Sequence, residues 1–282
     1  MKKVFGILAI GFALACPAIL PSFSSAYAAS DPDQQLQIWT PVIFNAKFHK
    51  RGLLTFEVQP RTILAETGPR NPNNLNLLII RPLAGIQLTK NVSFWQGYGW
   101  TPAFNPEFRN EHRLFQQLLV ENKFKVLDRP FTMSNRTRFE QRFIEDAGRT
   151  SLRARHRLLF SVPLASIFKG DSSKGADNDD KEFNKTLTAP GPVAAPQADN
   201  VTVDDYKWFL LAHNELFVNL NNTPGGPQAG IDQNRAFIGL NRRVNPFFNI
   251  EAGYLHNYVN NLAPANDRIN HAILVGINVN VN

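Results

Sequence analysis

The chain has 282 residues, a formal net charge of +7 and 43% hydrophobic residues, enough for one large domain. Its single cysteine, Cys16, lies near the N-terminus, so a mature form that begins after it has neither disulfides nor cysteine-based metal or nucleophile chemistry. The basic residues alternate along apolar runs and do not cluster in tails, which argues against a nucleic-acid partner.

The first element in chain order is a secretory signal peptide, predicted over residues 1–28. Two lysines, an apolar stretch and an Ala-Tyr-Ala cleavage site before Ala29 follow the pattern of such peptides. A retained anchor and lipoprotein processing at Cys16 are the alternatives. The apolar core is short and broken by prolines, and no later run reaches the ~20 apolar residues of a transmembrane helix. Residues 29–282 are the predicted mature domain.

Strand-length runs with turn signals between them fill this domain. Most are long enough to cross a bilayer when tilted. Eleven runs can be counted, but bacterial single-chain barrels normally have an even number of strands, so we expect ten to twelve. The runs lie at about 36–48, 52–62, 75–88, 92–101, 111–126, 131–144, 151–163, 207–220, 233–243, 247–258 and 269–281.

The connections alternate between tight turns and longer loops rich in Asn, Pro and Gly. This alternation is typical of outer-membrane barrels, with short periplasmic turns and longer outer loops. Residues at about 165–206 break the pattern and are interpreted as a mobile insertion. Its acidic cluster is interpreted as a solvated loop rather than a calcium site, because it lacks spaced ligands.

The most informative segment is an arginine-rich hairpin at 135–157. At strand periodicity its arginines share one face of each strand, whereas phenylalanine and leucine occupy the opposite face. Unpaired buried charge is too costly for the core of a soluble protein. A polar inside and an apolar outside instead predict an all-β fold, a single antiparallel transmembrane barrel in the bacterial outer membrane. A soluble sandwich is the alternative, since alternation alone does not say which face is inside.

Tryptophans and tyrosines lie mostly near strand ends and are interpreted as interfacial girdles, although hairpin pairing explains them nearly as well. The inner faces are expected to form a ladder of charged side chains. The ladder is expected to contain Arg113, Glu121, Arg136, Arg138, Glu140, Arg142, Arg153, Arg155, Arg157, His213, Glu215, Arg235 and Glu251.

Two interpretations of this ladder remain open: a hydrated structural plug of ion pairs, or a narrow path or pocket for a small anionic solute. We expect no enzyme, because no serine lies two residues from a histidine and no metal-binding histidine spacing occurs. A lipid- or envelope-modifying hydrolase with an unrecognised site is the alternative. The expected partners are outer-membrane lipid and the barrel-assembly machinery, the expected state is a monomer, and no cofactor or metal is expected.

Several of these segments resemble the domain-of-unknown-function family 2490 of bacterial outer-membrane barrels. The resemblance rests on Trp39 and on residues 113–117, 135–143, 152–155, 214–217 and 234–239. Its most specific element is the Arg-x-Arg-x-Glu-x-Arg stretch from Arg136 to Arg142. The resemblance covers nearly all of the mature chain. It implies an outer-membrane barrel but no activity, substrate or cofactor.

Overall fold

The computed structural model of the protein describes residues 32–67, 74–105, 107–126, 129–164, 207–261 and 266–281. The predicted signal peptide and the predicted insertion at about 165–206 lie outside these described residues.

The described residues form one closed sheet in which neighbours along the chain are mostly neighbours in space. Its twelve strands are β1 (Asp33–Trp39), β2 (Val42–Lys47), β3 (Gly52–Glu66), β4 (Asn74–Gln87), β5 (Val92–Trp100), β6 (Glu111–Val126), β7 (Arg129–Ile144), β8 (Ser151–Pro163), β9 (Trp208–Asn219), β10 (Gly230–Asn245), β11 (Phe248–Val259) and β12 (Arg268–Val281). The predicted all-β barrel is confirmed.

Strands β1 and β2 together make one wall of the barrel, because both lie between β12 and β3. The break between them falls at Pro41, which has no N–H to donate to a ladder. The backbone still continues the sheet across the break. Thr40 N donates to Pro60 O at 3.1 Å, and Pro41 O accepts from Ile277 N at 2.9 Å. The barrel therefore has eleven walls.

An odd number of walls determines how the barrel closes. Successive strands of a meander alternate in direction, so the first and eleventh walls run the same way. Accordingly, β1 and β12 pair in parallel from Asp33↔Arg268 to Trp39↔Leu274, and β2 continues that pairing from Val42↔Ile277. We call this closure the parallel seam. Every other pair of neighbouring walls is antiparallel.

The two ends of the barrel differ in the length of their connections. One end, here called the short-turn end, carries the links 48–51, 88–91, 127–128 and 246–247. The other, the long-loop end, carries the links 67–73, 101–110, 145–150, 220–229 and 260–267. The predicted alternation of short and long connections has one exception. The exception lies between β8 and β9, because β8 ends and β9 begins at the short-turn end.

The outer surface of the barrel is apolar. Exposed large side chains include Leu118, Phe139, Leu216 and Ile273, each on the outward parity of its strand. An exterior of this kind belongs in lipid, as the transmembrane prediction requires. No helix among the described residues is long and apolar enough to span a membrane.

The lumen is filled by side chains and is not wholly polar. One apolar cluster contains Trp39 and Phe237, and a second contains Trp95 and Phe115. The girdle interpretation is therefore wrong for Trp39 and Trp95, which are buried inside, although Trp208 is exposed on the outside. The distance of a residue from the end of a strand does not determine which face it occupies. Its odd or even place in the alternation along the strand does.

Two glycines on the inner face of β5 give a matched prediction. A Cβ at Gly97 would overlap the ring of Phe115, whereas the nearest atom to a Cβ at Gly99 is Arg81 Cγ at 3.4 Å. We expect Gly97→Ala to lower the free energy of unfolding by about 1–3 kcal/mol through overpacking. Gly99→Ala should leave it unchanged or raise it by up to about 1 kcal/mol, because glycine weakens a strand. Urea unfolding in lipid vesicles measures both, and equal effects would contradict this account.

Candidate functional site

The arginine hairpin is the β7–β8 pair, and the charged side chains on its inner face lie in the lumen, all of them buried except the half-buried Arg136. Strict alternation along both strands brings them to the inner face. The register sets Arg136 opposite Arg157, Arg138 opposite Arg155, and Glu140 opposite Arg153. The structure thus brings the hairpin residues predicted from the sequence into one group.

Three pairs of arginines face each other directly across neighbouring strands. They are Arg113/Arg142 on β6 and β7, and Arg138/Arg155 and Arg136/Arg157 on β7 and β8. We call each of these pairs a rung. Like charges placed opposite each other in a sheet are destabilising, so each rung needs a compensating anion.

Glu111 compensates the first rung. Its Oε1 lies 2.7 Å from Arg113 Nε and 2.6 Å from Arg142 Nε. The second carboxylate oxygen accepts from both guanidinium groups as well, at 2.9 and 3.2 Å. The carboxylate therefore bridges two planar forks, a geometry in which charge-assisted hydrogen bonds are strong.

Glu140 compensates the second rung from a fully buried position, with 0% of its surface exposed. Its Oε1 lies 2.7 Å from Arg155 Nη1 and 3.6 Å from Arg138 Nη1. Its Oε2 lies 2.7 Å from Arg153 Nη2. Arg153 also binds Asp232 at 2.8 Å. Glu140 is thus the anionic centre of a buried group of three arginines.

The third rung is compensated on one side only. Glu215 Oε1 lies 2.6 Å from Arg136 Nη2 and 2.9 Å from Arg155 Nη2. Arg157 has no acidic oxygen within 4 Å among the described residues, although Glu215 is its register partner on β9. Its Nε is buried and has no hydrogen-bond partner among the described residues. The rung therefore keeps a cation without a direct ion pair, and Glu121, Glu215 and Glu251 act on it only from a longer distance.

Aromatic rings lie against several of the lumenal arginines. The guanidinium carbon of Arg138 lies 4.1 Å from the ring centre of Phe115, and that of Arg155 lies 4.2 Å from Phe217. Arg61 lies 3.6 Å from the ring of Trp39. Desolvated cation–π contacts of this kind contribute about 2 kcal/mol each. The rings lower the cost of burying so many cations.

Two cavities formed by described residues lie on either side of the Glu140 group. Along β7, Arg142 lines a cavity of about 400 Å³ at the long-loop end, called the vestibule. Arg138 and Arg136 line a cavity of about 180 Å³ that extends toward the short-turn end, called the lower cavity. On β7, Glu140 lies between the residues that line the two cavities and lines neither cavity itself. On β9, Phe217 likewise lies between the lining residues of the two cavities. The two cavities share no lining residue.

Besides Arg157, four predicted ladder residues lie outside the ion-pair group. Among the described residues, Glu121, Glu251 and His213 make no ion pair. Glu251 and His213 line the lower cavity, and the His213 ring lies 5.0 Å from that of Phe237. Arg235 donates to Asn257 Oδ1 at 3.0 Å and to Gln233 Oε1 at 2.7 Å. Glu121 is buried, and its Oε1 has no partner among the described residues.

Two acidic residues of the group were missed by the sequence reasoning. Glu111 carries a usable signal, because it lies two residues before Arg113 and so shares its face. Asp232 carries none. The β9–β10 register shifts between Ile231 and Gln233, and this bulge turns Asp232 toward Arg153 against simple alternation.

Three outward-facing histidines, His112, His156 and His271, are hydrogen-bonded on the barrel surface, and the ring of His256 lies 5.9 Å from that of His271. Tyr98 Oη lies 2.6 Å from His112 Nδ1, and Thr137 Oγ1 lies 3.1 Å from His156 Nδ1. His271 bonds Tyr254 at 2.6 Å. Polar groups that face lipid need such internal partners. These contacts account for the three histidines as hydrogen-bonded surface groups.

The fold and lumen define a transmembrane β-barrel with an apolar exterior and a charged, largely filled interior. The barrel fold suggests an outer-membrane location. The chain belongs to the family described as Protein of unknown function (DUF2490), which matches residues 36–177 and 197–270. This confirms the resemblance drawn from the sequence.

Two known proteins are similar to the chain over most of its length. An uncharacterized protein of Methylorubrum extorquens is 29% identical over 239 residues, covering 83% of this chain and 82% of the relative. Among solved structures, LpxR from Salmonella typhimurium matches with a TM-score of 0.43 and 8% identity, covering 80% of this chain and 83% of LpxR.

The comparison with LpxR corrects the expectation that the protein is not an enzyme. LpxR is an outer-membrane enzyme, so that expectation is contradicted. The likeness has 8% identity and a TM-score of 0.43. It concerns the barrel alone and assigns no reaction or residue to this chain.

Proposed function

We propose that the protein is an integral barrel of the bacterial outer membrane whose lower cavity binds a small anion bearing a phosphate or carboxylate group. The proposal rests on one observation: Arg157 lines the lower cavity without an acidic partner within 4 Å among the described residues. The other two rungs each have a bridging carboxylate. A bound anion would supply the missing one.

The charge balance of the lower cavity supports this proposal. Seven arginines and three glutamates line it. The arginines are Arg61, Arg81, Arg136, Arg138, Arg155, Arg157 and Arg235, and the glutamates are Glu57, Glu215 and Glu251. Glu57 is already paired with Arg81, and Glu215 is shared by two arginines. Excess positive charge in a confined space of low dielectric constant attracts and concentrates anions.

The available donors also suit an oxyanion. Arg157 makes no hydrogen bond or ion pair among the described residues, and Arg61 and Arg136 each donate through a single Nη atom, to Gln59 and Glu215. All three side chains line the lower cavity. Guanidinium forks match carboxylate and phosphate oxygens in planar, two-point contacts. The lower cavity shares no lining residue with the vestibule, which favours a pocket over an open pore.

Thermal unfolding of the purified protein tests the proposal. Phosphate or citrate should stabilise the folded barrel relative to chloride at equal ionic strength, by about 2.7 kcal/mol at 100 times Kd. Arg157→Gln should abolish this stabilisation. Without added anion, the variant should be about as stable as the wild type, because Arg157 makes no direct ion pair among the described residues.

The matched control is Arg242→Gln, since Arg242 is exposed on the outside, 5.2 Å from the ring of Trp208. This variant should keep the full response to phosphate. An equal response in Arg157→Gln and the wild type, or no response beyond that to chloride, would contradict the proposal. Cell fractionation tests the location, and recovery in the soluble periplasm would contradict it.

A further inference from the structure

The exposed charges of the barrel are divided unequally between its two ends. Among the described residues, seven of the nine exposed lysine and arginine side chains lie at the short-turn end, whereas all four exposed acidic side chains lie at the long-loop end. The seven cations, together called the basic rim, are Lys47, Lys50, Arg51, Lys90, Lys125, Lys207 and Arg242. The short-turn end is therefore the side of the barrel that attracts an anionic partner.

Apolar side chains lie beside these cations on the surface that faces lipid. On β10, Arg242 has outward parity between Leu240 and Val244, and all three side chains are exposed. The turn residues Phe48 and Phe247 are exposed as well. Apolar side chains interleaved with cations match the boundary between the acyl chains and the headgroups of a bilayer. Both features fit a lipid with an anionic headgroup, whereas a water-soluble anion would leave the apolar side chains without a partner.

Trp208 marks the level at which the basic rim meets the lipid. It is the first residue of β9, it is exposed, and its register partner on β10 is Arg242. The guanidinium carbon of Arg242 lies 5.2 Å from the Trp208 ring. Lys207 precedes Trp208 and is also exposed. Tryptophan rings prefer the headgroup level of a bilayer, so this contact places Arg242 at the depth of the lipid phosphates.

We infer that the basic rim binds the headgroups of anionic phospholipids, with Arg242 beside Trp208 as a principal contact. Each lysine or arginine near an anionic membrane surface strengthens the attraction by a factor of about five. The short turns of outer-membrane barrels face the periplasm, so these headgroups belong to the periplasmic leaflet.

The inference rests on the membrane placement in the proposed function and not on its anion site. Arg242 does not line the lower cavity. Its replacement therefore changes the contact with lipid and leaves the proposed anion site intact.

Quenching of tryptophan fluorescence by brominated lipids tests the inference at both ends of the same barrel. Trp100 has the outward parity of the exposed Tyr98 and lies near the long-loop end, whereas Trp208 lies at the short-turn end. Trp39 and Trp95 are buried in the lumen, out of reach of lipid. The variants Trp100→Phe and Trp208→Phe therefore each leave one lipid-facing reporter.

The vesicles contain phosphatidylcholine with about one third phosphatidylglycerol, and the bromine is placed on one lipid at a time. We expect the lipid next to Trp208 to be enriched in phosphatidylglycerol about threefold to fivefold, and the lipid next to Trp100 not to be enriched. NaCl at about 0.5 M should abolish the enrichment, because it shortens the screening length to below about 5 Å.

Arg242→Gln should reduce the enrichment next to Trp208 to below about twofold, whereas Arg242→Lys should preserve it because the charge is kept. No enrichment next to Trp208, equal enrichment at both ends, or an enrichment that Arg242→Gln leaves unchanged would overturn the inference. Neutralisation of the basic rim by the acid-rich residues 165–206 or by a soluble partner would give the first of these results. Absence of quenching by either lipid would instead contradict the membrane placement itself.

Discussion

Replacing Glu140 by glutamine is expected to destabilise the barrel by about 3–5 kcal/mol, the usual cost of removing one partner from a buried ion pair. The side chain is fully buried and contacts Arg153 and Arg155 at 2.7 Å. Glutamine keeps the size and a hydrogen-bonding oxygen but removes the charge that compensates the arginines. Equilibrium unfolding in lipid vesicles measures the loss, and the folded fraction after refolding reports it if the variant is too unstable to titrate.

The control for this experiment is Glu121→Gln, the same substitution at another buried lumenal glutamate. Glu121 makes no ion pair with any described residue, and its Oε1 lacks a hydrogen bond there. Removing its charge should therefore change the free energy of unfolding little, or increase it. Similar losses in the two variants would mean that the Glu140 contacts do not hold the lumen together.

Placing an arginine on the outer face of β6 is the second large expected effect. Leu118 is exposed and lies near the middle of that strand. Leu118→Arg should cost about 2–4 kcal/mol, the price of a cation at the bilayer midplane. Leu88→Arg places the same residue in the exposed turn at 88–91, where the cost should be below about 1 kcal/mol.

Unfolding of both variants by urea is measured in lipid vesicles and in detergent micelles. The comparison separates the effect of the lipid from an effect of the substitution on the fold itself. The difference between Leu118→Arg and Leu88→Arg should shrink in micelles, where water reaches the outer face more easily. A soluble fold that exposes this face to water would show no difference in either medium. That outcome would refute the transmembrane assignment.

Alternation made the faces of the barrel predictable from the sequence. Arg136, Arg138 and Arg142 lie on the same side of β7 as the sequence indicated, because a strand without a bulge keeps its parity from end to end. The eleven runs were also countable, since the break at Pro41 is too short to interrupt the first run. The expectation of an even number came from other barrels and not from this chain.

The partners of the charged residues were not predictable in the same way. Arg136 and Arg155 share Glu215, although Arg157 is its register neighbour, and only side-chain packing decides which arginine reaches the carboxylate. Asp232 reaches the lumen through a bulge that periodicity cannot reveal. The aromatic rings that contact the arginines were also not predictable. Phe115 and Phe217 are apolar residues on the inner face, where the alternating pattern predicts polar side chains.

The parallel seam has a consequence for the connectivity of the chain. Asp33 opens the first wall at the long-loop end, whereas Val281 finishes the last wall at the short-turn end. The 14 residues of β12 span roughly 40 Å at about 3.3 Å per residue. Most domains have adjacent termini and tolerate circular permutation. Here a linker between the two ends would have to cross the full height of the barrel, through the filled lumen or along the lipid-facing surface, so we expect circular permutation to prevent folding.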